Sequence, residues 1–156
     1  MTTEQVIELV VAERERQIAK WGKQNLKLYF WILILQEELG EVAKAIIDEE
    51  PKENLLNEAV QVTAVAVQMC EWASELVGWP CNSREVLKLV FTGWKLSDGL
   101  PMNAHLEITT QIGMLCAEKK DNIFQEAEFA SNYLKRIVFN GCLLIYRLSK
   151  QQQHEL

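Results

Sequence analysis

The segment Trp31-Ile-Leu-Ile-Leu-Gln-Glu-Glu-Leu-Gly-Glu-Val-Ala-Lys-Ala-Ile-Ile47 sets the fold class. Its apolar residues recur at i, i+3, i+4 and i+7, the period of an amphipathic helix. On a wheel of about 100° per residue, Trp31, Ile34, Leu35, Val42 and Ala45 fall within roughly 60° of Glu38. An acidic residue therefore sits inside the apolar stripe, with Glu41 at its edge one turn on. Glu37 points toward Lys44 and Asp48 on the polar side.

The same period runs outward through the chain. Gly and Pro number 7 and 3, and they cluster at Gly22, Pro51, Gly78 to Pro80, and Gly93 to Pro101. Between these breaks the pattern predicts helices over 3–20, 28–48, 53–77, 83–95, 103–118 and 121–148, and no stretch alternates with period two. The expectation is an all-α antiparallel bundle of about six helices, a single domain over 1–156.

Three blocks recur in order. Thr3-Glu-Gln-Val-Ile-Glu-Leu-Val-Val11 resembles Ser83-Arg-Glu-Val-Leu-Lys-Leu-Val-Phe91. Leu39-Gly40 resembles Ile112-Gly113, and Lys52-Glu-Asn-Leu-Leu-Asn-Glu-Ala59 resembles Lys120-Asp-Asn-Ile-Phe-Gln-Glu-Ala127. The offsets shrink from 80 to 73 to 68, as shorter loops in the second half would make them. This predicts two duplicated helical modules, over 1–80 and 81–150.

The third helix repeats the layout of the second. Around Glu58, the residues Leu55, Val62, Val65, Met69 and Trp72 share one face, and Gln61 lies at its edge. Two consecutive helices thus carry an i, i+3 pair of oxygen donors on an inward face. Ionised carboxylates in a packed interface cost several kcal/mol unless paired or metal-bound. Lys44, the nearest basic residue, lies on the far side of its helix. A divalent cation held by Glu38, Glu41, Glu58 and Gln61 answers this, and all-oxygen donors suit Mg²⁺ or Mn²⁺. A di-iron bundle would need Glu-x-x-His pairs, which neither His105 nor His154 supplies.

Composition excludes other classes. Lys and Arg total 16 against 22 Asp and Glu, a net charge of −6, so a nucleic acid polymer is not the expected partner. The cysteines Cys70, Cys81, Cys116 and Cys142 have no zinc or disulfide spacing and read as free thiols in a reducing, cytoplasmic setting. Glu4 and Glu8 interrupt the first apolar stretch, unlike a signal peptide. The longest apolar run, Tyr29 to Leu35, is far below the roughly 18 residues a bilayer span needs, so no membrane role is expected.

Glu37-Glu38-Leu39-Gly40-Glu41, followed 17 residues later by Glu58, resembles the all-α MazG-like nucleoside triphosphate pyrophosphohydrolases. Their motif is E-E-x-x-E, a spacer, then E-x-x-D. The run Glu13-Arg-Glu-Arg-Gln-Ile-Ala-Lys-Trp-Gly-Lys-Gln24 is similar to their N-terminal segment, and the resemblance covers about residues 8–75. It implies Mg²⁺ on Glu38, Glu41 and Glu58, hydrolysis of a nucleoside triphosphate to monophosphate and pyrophosphate, and a homodimer. Gln61 stands where the pattern has Asp; an amide oxygen can ligate but adds no charge. Glu37 is the candidate to orient or deprotonate the attacking water. Lys20 and Arg14 or Arg16 are candidates to meet the phosphates, Trp21 to stack on a base and Gln24 to read its edge. Trp31, Trp72, Trp79 and Trp94 read as core or interface. In the second half Thr110, Gln111 and Met114 align with Glu37, Glu38 and Glu41, and Glu126 and Phe129 with Glu58 and Gln61, so that module reads as a covering scaffold. The alternative is a degenerate, non-catalytic module that binds a nucleotide or a protein.

Overall fold

The computed structural model describes residues 1–117 and 123–151; side chains 123–126 and 129 fall outside the described residues, as does His154. Six helices follow in order: α1 Thr3–Trp21, α2 Leu28–Ile47, α3 Lys52–Leu76, α4 Ser83–Gly93, α5 Pro101–Ala117 and α6 Ile123–Lys150. No strand occurs among the described residues. The expected all-α class holds, and the helix ends lie within two residues of those read from Gly and Pro. Pro101 opens α5, since its missing N–H is no loss in a first turn.

Two helices start with the same device. Thr2 accepts from the Gln5 backbone while the Gln5 side chain returns to Thr2, and Asn82 and Glu85 do likewise for α4. Gly22 and Gly78 take φ of 69° and 81°, which ends α1 and turns the chain after α3 without a Cβ clash. The short link from Asp48 to Pro51 makes α2 and α3 antiparallel neighbours.

α3 is the centre. It packs on α6 most extensively, with α2 on α3, α5 on α6, and α2 touching α5. α1 and α4 lie against α3 and α6 and against each other. Its second half is buried nearly all round, from Val62 through Cys70, as befits a helix surrounded by others. Gly141 of α6 lets that helix approach Thr63 of α3: a Cβ there would meet Thr63 Cβ and Cγ2 at 3.0 Å.

Buried positions recur at the offsets seen in the sequence. Val6, Ile7 and Val10 of α1 are buried, as are Val86, Leu87 and Val90 of α4. Trp31, Leu35, Leu39 and Val42 of α2 match buried Ala104, Ile108, Ile112 and Leu115 of α5. Ala59, Val62, Ala66 and Met69 of α3 match buried Ala127, Ala130, Leu134 and Ile137 of α6.

Candidate functional site

Three helices bring carboxylates toward one another. α2 supplies Glu38 and Glu41, α3 supplies Glu58, and α1 adds Glu13. Glu38 and Glu58 are half-buried, at the edge of the stripe that carries Trp31, Leu35 and Leu55 inward; Glu37 and Glu41 are exposed. Burial, then the negative charge of Glu58, Glu37, Glu13 and Glu41, pushes the Glu38 carboxyl up to about 7. Burial, then Glu41, Glu50 and Glu13, raises Glu58 as well. Among the described residues neither carboxylate has an ion-pair partner. Arg16 feels the charge of Glu38, and it is engaged: its Nε and Nη2 each donate to Glu13 at 2.7 Å.

Gln61 lies where the helical spacing put it, one turn from Glu58. Its Nε2 donates to Glu58 Oε2 at 2.7 Å, so the amide oxygen faces away. An ionised carboxylate only accepts, which fixes that orientation. Among the described residues no three His, Cys, Asp or Glu side chains stand close enough, as placed, to hold a metal ion. The donor chemistry fits a hard divalent cation, but the side chains do not form a closed shell. In the second half Thr110 and Met114 are exposed and Gln111 is buried, donating to Glu107 at 2.7 Å. The counterparts Glu126 and Phe129 lie outside the described side chains.

The basic and polar candidates divide. Arg14 is 3% exposed and faces α3, not solvent. Its Nη2 donates to Glu71 at 2.9 Å and its Nη1 to Gln17 and Gln68 at 3.1 and 3.2 Å. Gln68 Nε2 reaches Gln24 at 3.4 Å. Arg14 and Gln24 line a cavity of about 800 Å³ between α1, the second half of α3 and the turn into α4. Lys20 and Trp21 are not in that lining: the ammonium stands 4.5 Å from the exposed indole's centroid at the end of α1. Of the tryptophans read as core or interface, Trp31 and Trp72 are buried in the core, whereas Trp79 is 79% exposed and Trp94 stacks half-exposed on Phe139.

Glu13, Gln17, Gln68 and Glu71 are the residues that sequence reasoning missed. Gln17 is the hinge between the two regions, since its Nε2 donates to Glu13 at 3.0 Å while its Oε1 accepts from Arg14. The available signal was Gln68, a lone amide in a run of Val, Ala and Met.

No family model matches the chain. Neither a curated protein nor a solved structure matches it. The site therefore rests on its own residues.

Proposed function

We propose that the chain is a Mg²⁺-dependent nucleoside triphosphate pyrophosphohydrolase, with residues 1–80 as the working module and 81–150 as a duplicated module that covers it. One observation carries the reading: half-buried carboxylates from three helices converge and, among the described residues, no cation is bonded to Glu38 or Glu58. The resemblance of the Glu37 to Glu58 segment supplies the reaction. Glu38, Glu41 and Glu58 would hold Mg²⁺, or Mn²⁺, after side-chain rotation, with Gln61 turning its oxygen inward. Such an ion would neutralise phosphate charge and lower the pKa of a bound water. Exposed Glu37 orients or deprotonates that water. Arg14 holds α1 on α3, which makes it a positioning residue; Lys20 and Trp21, in contact with each other at the exposed end of α1, would meet the nucleotide.

The recurring burial pattern and the paired capping boxes support the duplication. No described helix is long and apolar enough to cross a membrane. A homodimer belongs to the same reading, since adjacent α2 and α5 leave Tyr29, Leu33, Leu106 and Met114 exposed.

The absence of a closed ligand shell among the described residues, with Gln61 in place of Asp, favours a second reading: a non-catalytic module of the same build. Pyrophosphate release from a panel of nucleoside triphosphates, with Mg²⁺ or Mn²⁺, separates the two. Release that is lost in Glu38→Gln and Glu58→Gln supports the enzyme. Equal background in wild type and both variants supports the non-catalytic module.

A further inference from the structure

A smaller cavity, of about 170 Å³, lies between the end of α3, the turn into α4, α4 itself and α6. Its walls are mainly apolar: Ala73 and Val86 are buried, and Val77, Trp79 and Leu89 line it as exposed residues. The chain folds back to form one side. The Trp79 backbone donates to Ser74 O at 2.9 Å and the Cys81 backbone to Ser74 Oγ at 3.0 Å, so residues 79–81 run beside the last turns of α3.

α6 contributes two polar groups to this lining, Ser131 and Lys135, four residues apart and so on one face of the helix. Both are half-buried. Among the described residues neither has a hydrogen-bond or ion-pair partner, yet the hydroxyl and the ammonium both stay accessible. The charge itself stands at the wall. Burial pushes the thiol of Cys70, another lining residue, up to about 12, and the Lys135 ammonium opposes that rise. No carboxylate lines the cavity. Glu71, which also acts on Cys70, is taken by Arg14 and Ser83.

These features select a ligand. A lone cation on an apolar lining favours one negative charge on an apolar body. Two donors, an ammonium and a hydroxyl, match the two oxygens of a carboxylate. A phosphate dianion would bring more charge and more acceptors than this wall can meet. Size sets the body, since a dry cavity of about 150 Å³ holds a benzene ring.

We propose that this cavity binds a small carboxylate with an aromatic or branched alkyl body, its acid group on Lys135 and Ser131 and its body against Val77, Trp79, Val86 and Leu89. α3 rises about 22 Å from Glu58 to Ala73, so the site is separate from the acidic cluster and does not depend on the nucleotide reading.

The test uses the full chain without metal or nucleotide. Phenylacetate and its neutral counterpart phenylacetamide are added to millimolar concentration while the indole N–H resonances are followed by NMR, the Trp79 signal being assigned with Trp79→Phe. The expected result is a saturable shift of the Trp79 resonance, about tenfold tighter for the acid than for the amide. Lys135→Met keeps the apolar stem and removes the charge, so it should abolish that preference. Alkylation by iodoacetamide, read by mass spectrometry, gives a second measure. Phenylacetate should slow it at Cys81, which lines the cavity, and leave exposed Cys116 on α5 unchanged. An unmoved Trp79 resonance, equal affinity for acid and amide, or the same preference in Lys135→Met overturns the proposal. So does a Cys81 rate that stays constant or falls no more than that of Cys116.

Discussion

Glu38 gathers at one side chain the strain of the whole acidic cluster. Its carboxyl ordinarily titrates near 4.5 and in the fold stands at about 7, from burial first and Glu58 second. A raised carboxylate favours the protonated form, so its penalty is absent below 4.5, grows between 4.5 and 7, and is complete above. Screening of the half-exposed group leaves a penalty of about 1–2 kcal/mol. Glu38→Gln should therefore stabilise the metal-free protein by that amount at pH 8 and leave it unchanged at pH 4, as read by denaturant titration at both. Equal effects at the two pH values would show that ionisation is not the cause. Gln61→Asp should do the opposite at pH 8. A second charge beside Glu58 lowers metal-free stability by about 1 kcal/mol. The added charge should also lower the Mg²⁺ midpoint by about tenfold, since ligand charge sets affinity. A calorimetric midpoint that stays put removes Gln61 from the metal shell. Glu38 and Glu58 were legible because an ionisable group inside an apolar stripe breaks a local period. Glu13 was not, because Glu13-Arg-Glu-Arg16 alternates in sign like any solvated face. Only the packing of α1 on α3 turns it inward. The burial of Arg14 was hidden for the same reason, its partner Glu71 lying 57 residues away.

Among the elements, the packing of α3 on α6 sets the frame, and one glycine makes it possible. A methyl group at Gly141 would meet the Thr63 side chain, whose hydroxyl is fixed by a 2.6 Å bond to Ala59 O. Gly141→Ala should destabilise by about 1–3 kcal/mol, the range for overpacking a tight interface. Adding Thr63→Ala should return most of that loss, because the obstruction is Thr63 and not backbone. A double-mutant cycle by chemical denaturation measures it. Additive losses would place the strain elsewhere. The helices themselves were readable from periodicity and breakers, since both signals are local. The end of α4 was overrun by two residues, because Trp94 leaves the helix at φ −136° and ψ 150° and stacks on Phe139, a partner 45 positions on. Gly141 carried no such signal, for a close helix–helix approach depends on which faces meet.

At the scale of the molecule, the two halves share a pattern of buried positions and differ in charge placement. The carboxylate cluster joins α1, α2 and the first half of α3, whereas the corresponding positions of α5 hold Thr110, Gln111 and Met114. A divalent ion that binds only the folded cluster should thus act on one half. At a hundredfold excess over its dissociation constant, it adds about 2.7 kcal/mol. Its footprint follows from the ligands: Mg²⁺ bound there would relieve repulsion among Glu13, Glu38, Glu41 and Glu58, so fluctuations that separate their helices would become rarer. Amide hydrogen exchange should slow in α1, α2 and the first turns of α3, while α4 and α5 keep their metal-free rates. Glu58→Gln should remove the slowing without altering the metal-free pattern of α4 and α5. Uniform slowing across both halves would mean general ionic stabilisation of a chain of net charge −6. Protection confined to α4 and α5 would place the ion in the wrong module. Either result breaks the link between the acidic cluster and metal, because a bound ion stabilises only the elements that its ligands hold together.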